Sequence, residues 1–148
     1  MKIRPASPPD EQSIRACARA AYQRYVAAIG IEPAPMVADF KAQIAQGLVH
    51  VATDHTELLG YIVFYLKGDQ MFLENIAVRP DAAGRGIGKQ LLGFCEDQAR
   101  QAGARSVQLY TNEKMIENLT IYPHLGYREI DRRCENGFHR VYFEKLLT

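Results

Sequence analysis

Apolar positions recur along the chain with two different periods, and the change between them divides it. Up to residue 47 the spacing is helical. Ile14, Cys17, Ala18, Ala21, Tyr25, Ala28 and Ile29 recur at three- and four-residue steps, which predicts one helix that Gly30 ends. Ser7-Pro8-Pro9-Asp10 has the marks of its start, with Ser7 as cap, proline in the first turn and an acid three residues on. The connector IEPAP is stiffened by two prolines. Beyond it a shorter helix is predicted from Met36 to about Gln46, burying Val37, Phe40 and Ile44, with Gly47 as its stop. Lys2 to Pro5 suits an edge strand.

From Leu48 the period falls to two. LVHVAT, LLGYIVFYL and the run from Met71 to Val78 are three predicted strands, separated by turns at Asp54-His55-Thr56 and Lys67-Gly68-Asp69. They predict an antiparallel meander. After Arg79-Pro80 and a glycine-rich turn the helical period returns, with Ile87, Leu91, Cys95 and Ala99 in line and Gly103 at the end. Ser106 to Tyr110 follows this crossover helix, so it should lie parallel to the Met71–Val78 strand. A last helix fits within Lys114 to Leu125. Glu129 to Arg133 and Phe138 to Leu146 then pair across Glu135-Asn136-Gly137. The expected class is α+β, a mixed sheet flanked by helices.

Composition narrows the setting. At 148 residues, 47% apolar and 24% charged, the chain suits one globular domain over 1–148. A net charge of +1 supports no long-range attraction to nucleic acid or to an anionic membrane. No apolar run approaches the roughly 18 residues of a membrane helix, and MKIRPASPPDEQ has no apolar signal core. Three widely spaced cysteines then read as reduced thiols, and the expected location is the cytoplasm. Cys17 and Cys95 fall on apolar helix faces as plain packing; Cys134 lies near a turn.

The stretch LENIAVRPDAAGRGIGK, Leu73 to Lys89, carries the chemistry. Gly84, Gly86 and Gly88 alternate with Arg85 and Ile87 immediately after a strand, and a helix opens at once. Glycines admit close approach of a ligand to the backbone. Free N–H groups at a helix N-terminus then face an anion with the help of the dipole, and Lys89 adds a point charge. A Walker A loop fails twice, because Ala83 takes its first glycine position and Gln90 its last. A dinucleotide fingerprint fails at Lys89, where its third glycine belongs, and in following a meander. A site for a phosphorylated ligand remains, against the alternative of a tight turn that binds nothing.

These residues resemble the GCN5-related N-acetyltransferases. Ile76-Ala77-Val78-Arg79-Pro80 and Ala83-Gly84-Arg85-Gly86-Ile87-Gly88 match that family's central motif, with Ala83 where Gln or Arg is usual. Asn118 to Tyr127, NLTIYPHLGY, looks like its later N-x-x-x-Y-x-x-x-G-[FY] region, and the order of elements agrees over nearly the whole chain. The resemblance implies acetyl-coenzyme A as donor and a splay between the two central parallel strands. Pantetheine would enter the splay and pair with backbone at Ile76, Ala77 and Val78. N–H groups over Gly84, Arg85, Gly86, Ile87, Gly88 and Lys89 would hold the pyrophosphate. Asn118 would bond the pantetheine arm, or else cap its helix.

Amine attack on a thioester needs an ammonium to lose its proton, an oxyanion to be held and a departing thiolate to be protonated. The resemblance makes Tyr122 the general acid; otherwise it is a core tyrosine with its hydroxyl on backbone. Glu74 is the candidate base, or else a solvated or amine-binding carboxylate. The strand N–H of Val78 would meet the oxyanion. Tyr22, Tyr25, Pro33, Met36, Arg133, Glu135 and His139 are candidates for the acceptor pocket, although Tyr25 and Met36 suit a core better and His139 suits the surface. The acceptor would be a small-molecule amine, a protein N-terminus or a lysine. His50, His55, His124 and His139 have no metal-ligand spacing, so no metal is expected. Aromatic and basic residues do not alternate as nucleic-acid stacking requires. A homodimer through the C-terminal strand is open. The rival function is a module that senses acyl-coenzyme A without turnover.

Overall fold

The strands form where the two-residue period placed them. A computed structural model of the chain describes residues 1–147. Its strands are β1 (Lys2–Pro5), β2 (Val49–Asp54), β3 (Glu57–Lys67), β4 (Gln70–Val78), β5 (Ser106–Asn112), β6 (Arg128–Glu135) and β7 (Phe138–Leu146). They make a mixed, mostly antiparallel seven-stranded sheet in the order β1-β2-β3-β4-β5-β7-β6. Flanking it are α1 (Glu11–Tyr22), α2 (Val26–Ile29), α3 (Phe40–Ala45), α4 (Ile87–Gln101) and α5 (Ile116–His124). The α+β class and the β4–α4–β5 crossover are as expected. The chain forms two compact units, the first Met1–Phe64 with Asn75–Cys95, the second Tyr65–Glu74 with Glu96–Thr148.

In the first unit, Ile14, Cys17 and Ala18 of α1 and Phe40 and Ile44 of α3 pack on Val51, Tyr61, Val63 and Ala77. Phe40 meets the Tyr61 ring edge-on, with centroids 5.4 Å apart. Two helix boundaries differ from the periodicity. The long N-terminal helix is interrupted by a 3-10 turn at Gln23–Tyr25 before α2 carries it to Gly30, which has φ 91°. That tighter turn shifts the phase, so Tyr25 is buried and Ala28 is exposed. The second helix begins later than expected because Asp39 is the better cap, its carboxylate accepting the Ala42 N–H at 3.1 Å. Residues Ala34–Val37 make a separate 3-10 turn that buries Met36 and leaves Val37 62% exposed, against the expectation that Val37 is core.

In the second unit, β4 and β5 run parallel with Gln70 opposite Ser106 and Leu73 opposite Leu109, where their ladder ends. β7 pairs antiparallel with β5 and with β6. The β6–β7 hairpin turns at Asn136 and Gly137, both left-handed (φ 52° and 82°), a conformation that an Asn-Gly pair adopts at low cost. Glu96 of α4 is buried. It accepts from Tyr127 Oη at 3.0 Å and from Lys145 Nζ at 2.9 Å, which fastens α4 to the strand end through one carboxylate. Cys17 and Cys95 are buried and Cys134 is exposed.

Candidate active site

The strand, turn and helix predicted from Leu73 to Lys89 form, and the first unit holds them from Asn75 onward. After Val78 the chain leaves the sheet with Arg79 N–H donating to the Leu59 carbonyl at 2.8 Å. The Arg79 guanidinium donates to Asp81 (Nε to Oδ1, 3.0 Å) and to the Leu58 carbonyl at 3.3 Å, bracing the 3-10 turn Pro80–Ala82. Ala83 is extended and exposed. Gly84 and Gly86 follow with φ 83° and 75°, values that a side chain strains to adopt. α4 starts at Ile87, and its first backbone bond runs from Gln90 N–H to the Gly86 carbonyl at 3.0 Å. The N–H groups of the turn before Gln90 are therefore the helix's unmatched donors.

Each predicted phosphate ligand can be assigned a physical role here. A Cβ placed on Gly84 or Gly86 meets nothing within 4 Å, so open space lies in front of both. Gly88 differs. Its φ is not left-handed, and a Cβ there would only touch Val78 Cγ2 at 3.6 Å, an ordinary contact. Neither conformation nor packing demands a glycine at Gly88, and its cost to a helix is about 1 kcal/mol. Ile87 buries its side chain, so only its N–H can serve an anion; Arg85 and Lys89 are exposed. Arg85 stands 3.9 Å from Asp54, a surface pair too long and too wet to hold it. The cradle fits a phosphorylated group.

Asn75 went unnoticed in the sequence. It occupies a strand position where alternation calls for an apolar side chain and is only 4% exposed. Its Oδ1 lies 3.1 Å from Tyr61 Oη and 3.3 Å from Tyr22 Oη, and Tyr22 Oη donates to the Ile76 carbonyl at 2.6 Å. A lone asparagine within the run LENIAV was the available signal. Tyr22, a pocket candidate, thus reaches β4. Tyr25 and Met36 are buried, as a core reading of them expects.

The second unit holds the candidates for proton transfer. Tyr122 lies in the last turn of α5, directly before Pro123 and four residues before Gly126; its carbonyl accepts from the N–H groups of Leu125 and Tyr127, each at 3.0 Å. Its ring packs on Tyr127 and Phe143 with centroids 5.8 and 5.7 Å away, and among the described residues its hydroxyl has no backbone partner. The residue keeps partial surface exposure, yet crowding around the phenol pushes it up to about 12. Asn118 does not cap α5. Met115 holds that position, and Asn118 Nδ2 donates to Thr111 Oγ1 at 3.0 Å, tying α5 to β5.

Glu74 lies half-buried beside Tyr65, whose hydroxyl donates to it at 3.5 Å. Burial raises the Tyr65 phenol, and the Glu74 charge adds to that. Phe72, Tyr65 and Tyr110 line the same neighbourhood, with ring centroids 5.7 and 5.9 Å from Phe72. Of the remaining pocket candidates, Arg133 stacks over Tyr142 at 4.4 Å and pairs with Asp131 at 2.7 Å. Glu135 accepts from Tyr142 and Arg140, and His139 is exposed. Among the described residues no three His, Cys, Asp or Glu side chains group as metal ligands.

The fold is a mixed sheet in which one strand leads through a glycine turn into a long helix. The sequence model described as "Acetyltransferase (GNAT) family" matches residues 13–127, and the chain belongs to that family of acetyltransferases. An aminoalkylphosphonate N-acetyltransferase of Salmonella typhimurium is 39% identical over 57 residues, covering 38% of this chain and 37% of that protein. A ribosomal protein bS18-alanine N-acetyltransferase of Haemophilus influenzae is 29% identical over 80 residues, 54% of each chain. The matched stretches thus span about half of these relatives or less. The crystal structure of PaiA N-acetyltransferase from Thermoplasma acidophilum in complex with coenzyme A superposes with a TM-score of 0.82 over 99% of this chain and 98% of that one. At 19% identity this likeness is one of fold.

Proposed function

We propose that residues 1–148 act as one acetyl-coenzyme A-dependent N-acetyltransferase domain, with a primary amine as acceptor. The observation that carries the reading is the cradle at Gly84–Gly88, open in front of both left-handed glycines and at the start of a 15-residue helix, in a chain whose family match spans it. Bound there, acetyl-coenzyme A supplies an acetyl group activated as a thioester. The N–H groups at 84–89 hold its pyrophosphate, with the helix dipole favouring the negative charge. The backbone of Ile76, Ala77 and Val78 takes the pantetheine arm in the manner of an added strand, and the end of the β4–β5 ladder at Leu73 supports this.

Tyr122 is the general acid. With its phenol held at about 12 it is protonated throughout the working range, a donor that never empties. Glu74 accepts the proton of the amine, directly or through a water, and Tyr65 steadies its carboxylate. The N–H of Val78 receives the developing negative charge on the acetyl oxygen. Asn118 fixes α5 against β5 through Thr111 and so positions Tyr122 four residues on.

The relatives act on an aminoalkylphosphonate and on a ribosomal protein alanine, which keeps both small amines and protein N-termini in play. A lysine acceptor, cytoplasmic residence and a homodimer belong to the same reading. The test is an amine panel with acetyl-coenzyme A fixed, following free thiol release. Turnover with at least one amine supports the proposal; acetyl-coenzyme A binding without turnover on any of them would favour an acyl-coenzyme A sensor instead.

A further inference from the structure

We infer that Tyr22 of α1 is a positioning residue for the donor: its hydroxyl sets the orientation of the Ile76–Ala77 peptide in β4. The inference rests on the acetyl-coenzyme A reading above. Tyr22 Oη stands 2.6 Å from the Ile76 carbonyl oxygen and 3.3 Å from Asn75 Oδ1. A phenol has one proton to give, and the shorter contact takes it. Tyr22 is therefore a donor to the main chain, and its longer approach to Asn75 Oδ1 is the weaker contact.

Asn75 lies beside this contact. With Oδ1 turned toward the two tyrosines, Asn75 Nδ2 is buried without a hydrogen-bond partner among the described residues. The two ends of an asparagine amide are distinguished only by their partners. The buried Tyr61 hydroxyl, 3.1 Å away, donates to the end facing the two tyrosines and fixes it as the oxygen, while Tyr22 gives its proton to the Ile76 carbonyl at the shorter distance. Tyr61 and Tyr22 thus meet beside one carboxamide oxygen, and only Tyr22 reaches the backbone carbonyl.

The consequence follows from peptide planarity. The C=O of Ile76 and the N–H of Ala77 belong to one rigid trans unit and point in opposite directions. Holding the carbonyl on α1 therefore aims the Ala77 N–H the other way, and the Ile76–Val78 backbone is the stretch assigned to the pantetheine arm. Tyr22 acts through the peptide; it does not touch the reacting atoms.

Tyr22→Phe keeps the ring and removes only the hydroxyl. The expected result is a KM for acetyl-coenzyme A raised about three- to tenfold, with kcat and the KM for the amine within about twofold, because the loss falls on ground-state donor binding. In the free protein, the Ile76 carbonyl carbon and Ala77 amide resonances should move. A purely structural role would lower the unfolding temperature and the active fraction while leaving the donor KM unchanged, and that result overturns the inference. If no amine is turned over, the dissociation constant of acetyl-coenzyme A replaces KM. A wild type that does not bind acetyl-coenzyme A overturns the functional reading, whereas equal affinities in wild type and variant overturn only the role of Tyr22. Should the phenylalanine variant not fold, 3-fluorotyrosine at position 22 keeps and acidifies the hydroxyl. An Ile76 carbonyl resonance that does not respond to it refutes the contact.

Discussion

Gly60 and Ala77 approach so closely that a Cβ on Gly60 would stand 2.7 Å from the Ala77 carbonyl oxygen and 3.3 Å from Val78 Cα. Both neighbours are backbone, so neither can swing away as a side chain would. Gly60→Ala must push β3 from β4 at the residues proposed to carry the donor. Destabilisation of about 2–3 kcal/mol is expected from overpacking, together with weakened acetyl-coenzyme A binding. Urea unfolding and donor titration of the variant check both. Wild-type affinity in Gly60→Ala would mean that the Ala77–Val78 backbone does not hold the donor.

Gly88→Ala separates the needs of the fold from those of the ligand. The added methyl fits against Val78 and improves helix propensity, so stability should rise by up to about 1 kcal/mol. If the phosphates bind as proposed, affinity for acetyl-coenzyme A should nevertheless fall by about tenfold or more, roughly 1.4 kcal/mol, because the methyl would stand beside them. Calorimetry of binding and thermal unfolding read the two effects in opposite directions.

Tyr122→Phe should lower kcat by about 100-fold or more, the contribution of a positioned acid, with donor affinity kept. The wild-type phenol sits near 12 because burial disfavours its charged form. That neutral form stabilises the fold fully below the ordinary tyrosine pKa of about 10, and the increment is lost as pH rises from there through 12. An alkaline fall in rate at pH about 9 would therefore come from another group, and the fall should persist in the residual activity of the phenylalanine variant.

Glu74→Gln tests the base. Rate should drop and the limb of the pH profile on which a base ionises should flatten, since glutamine keeps the shape but accepts no proton. A profile parallel to wild type at all pH values removes Glu74 from that role.

Asp10 offers a stability test away from the site. The Arg4 guanidinium forks onto its carboxylate at 2.8 and 3.0 Å and holds the carboxyl down at about 2. The folded value lies below the unfolded one of about 3.9, so the stabilisation is present above that value and is lost as pH falls toward 2. For a pair this near the surface the effect is discounted to about 1 kcal/mol. Asp10→Asn should lose that amount at neutral pH and show a shallower acid dependence in denaturant titrations.

The sequence by itself determined the elements and the cradle, because both are local. Strand alternation, the Asn136-Gly137 turn and the Gly84–Gly88 opening of α4 depend on neighbours a few residues apart, and the chain spells them directly. Helix phase was less legible. Val37 lost its core place to Met36 once Asp39 captured the cap, a competition that periodicity does not register. Tertiary structure alone decided the contacts between residues distant in the chain: Gly60 against Ala77, Tyr22 on the Ile76 carbonyl, and Asn118 bonded to Thr111 rather than capping its helix. Each joins segments that only the folded sheet and its helices bring within hydrogen-bonding or van der Waals distance. The roles of Gly60 and Asn75 could therefore not be read from their places in the strands, where one resembles a flaw and the other an unpaired polar intrusion.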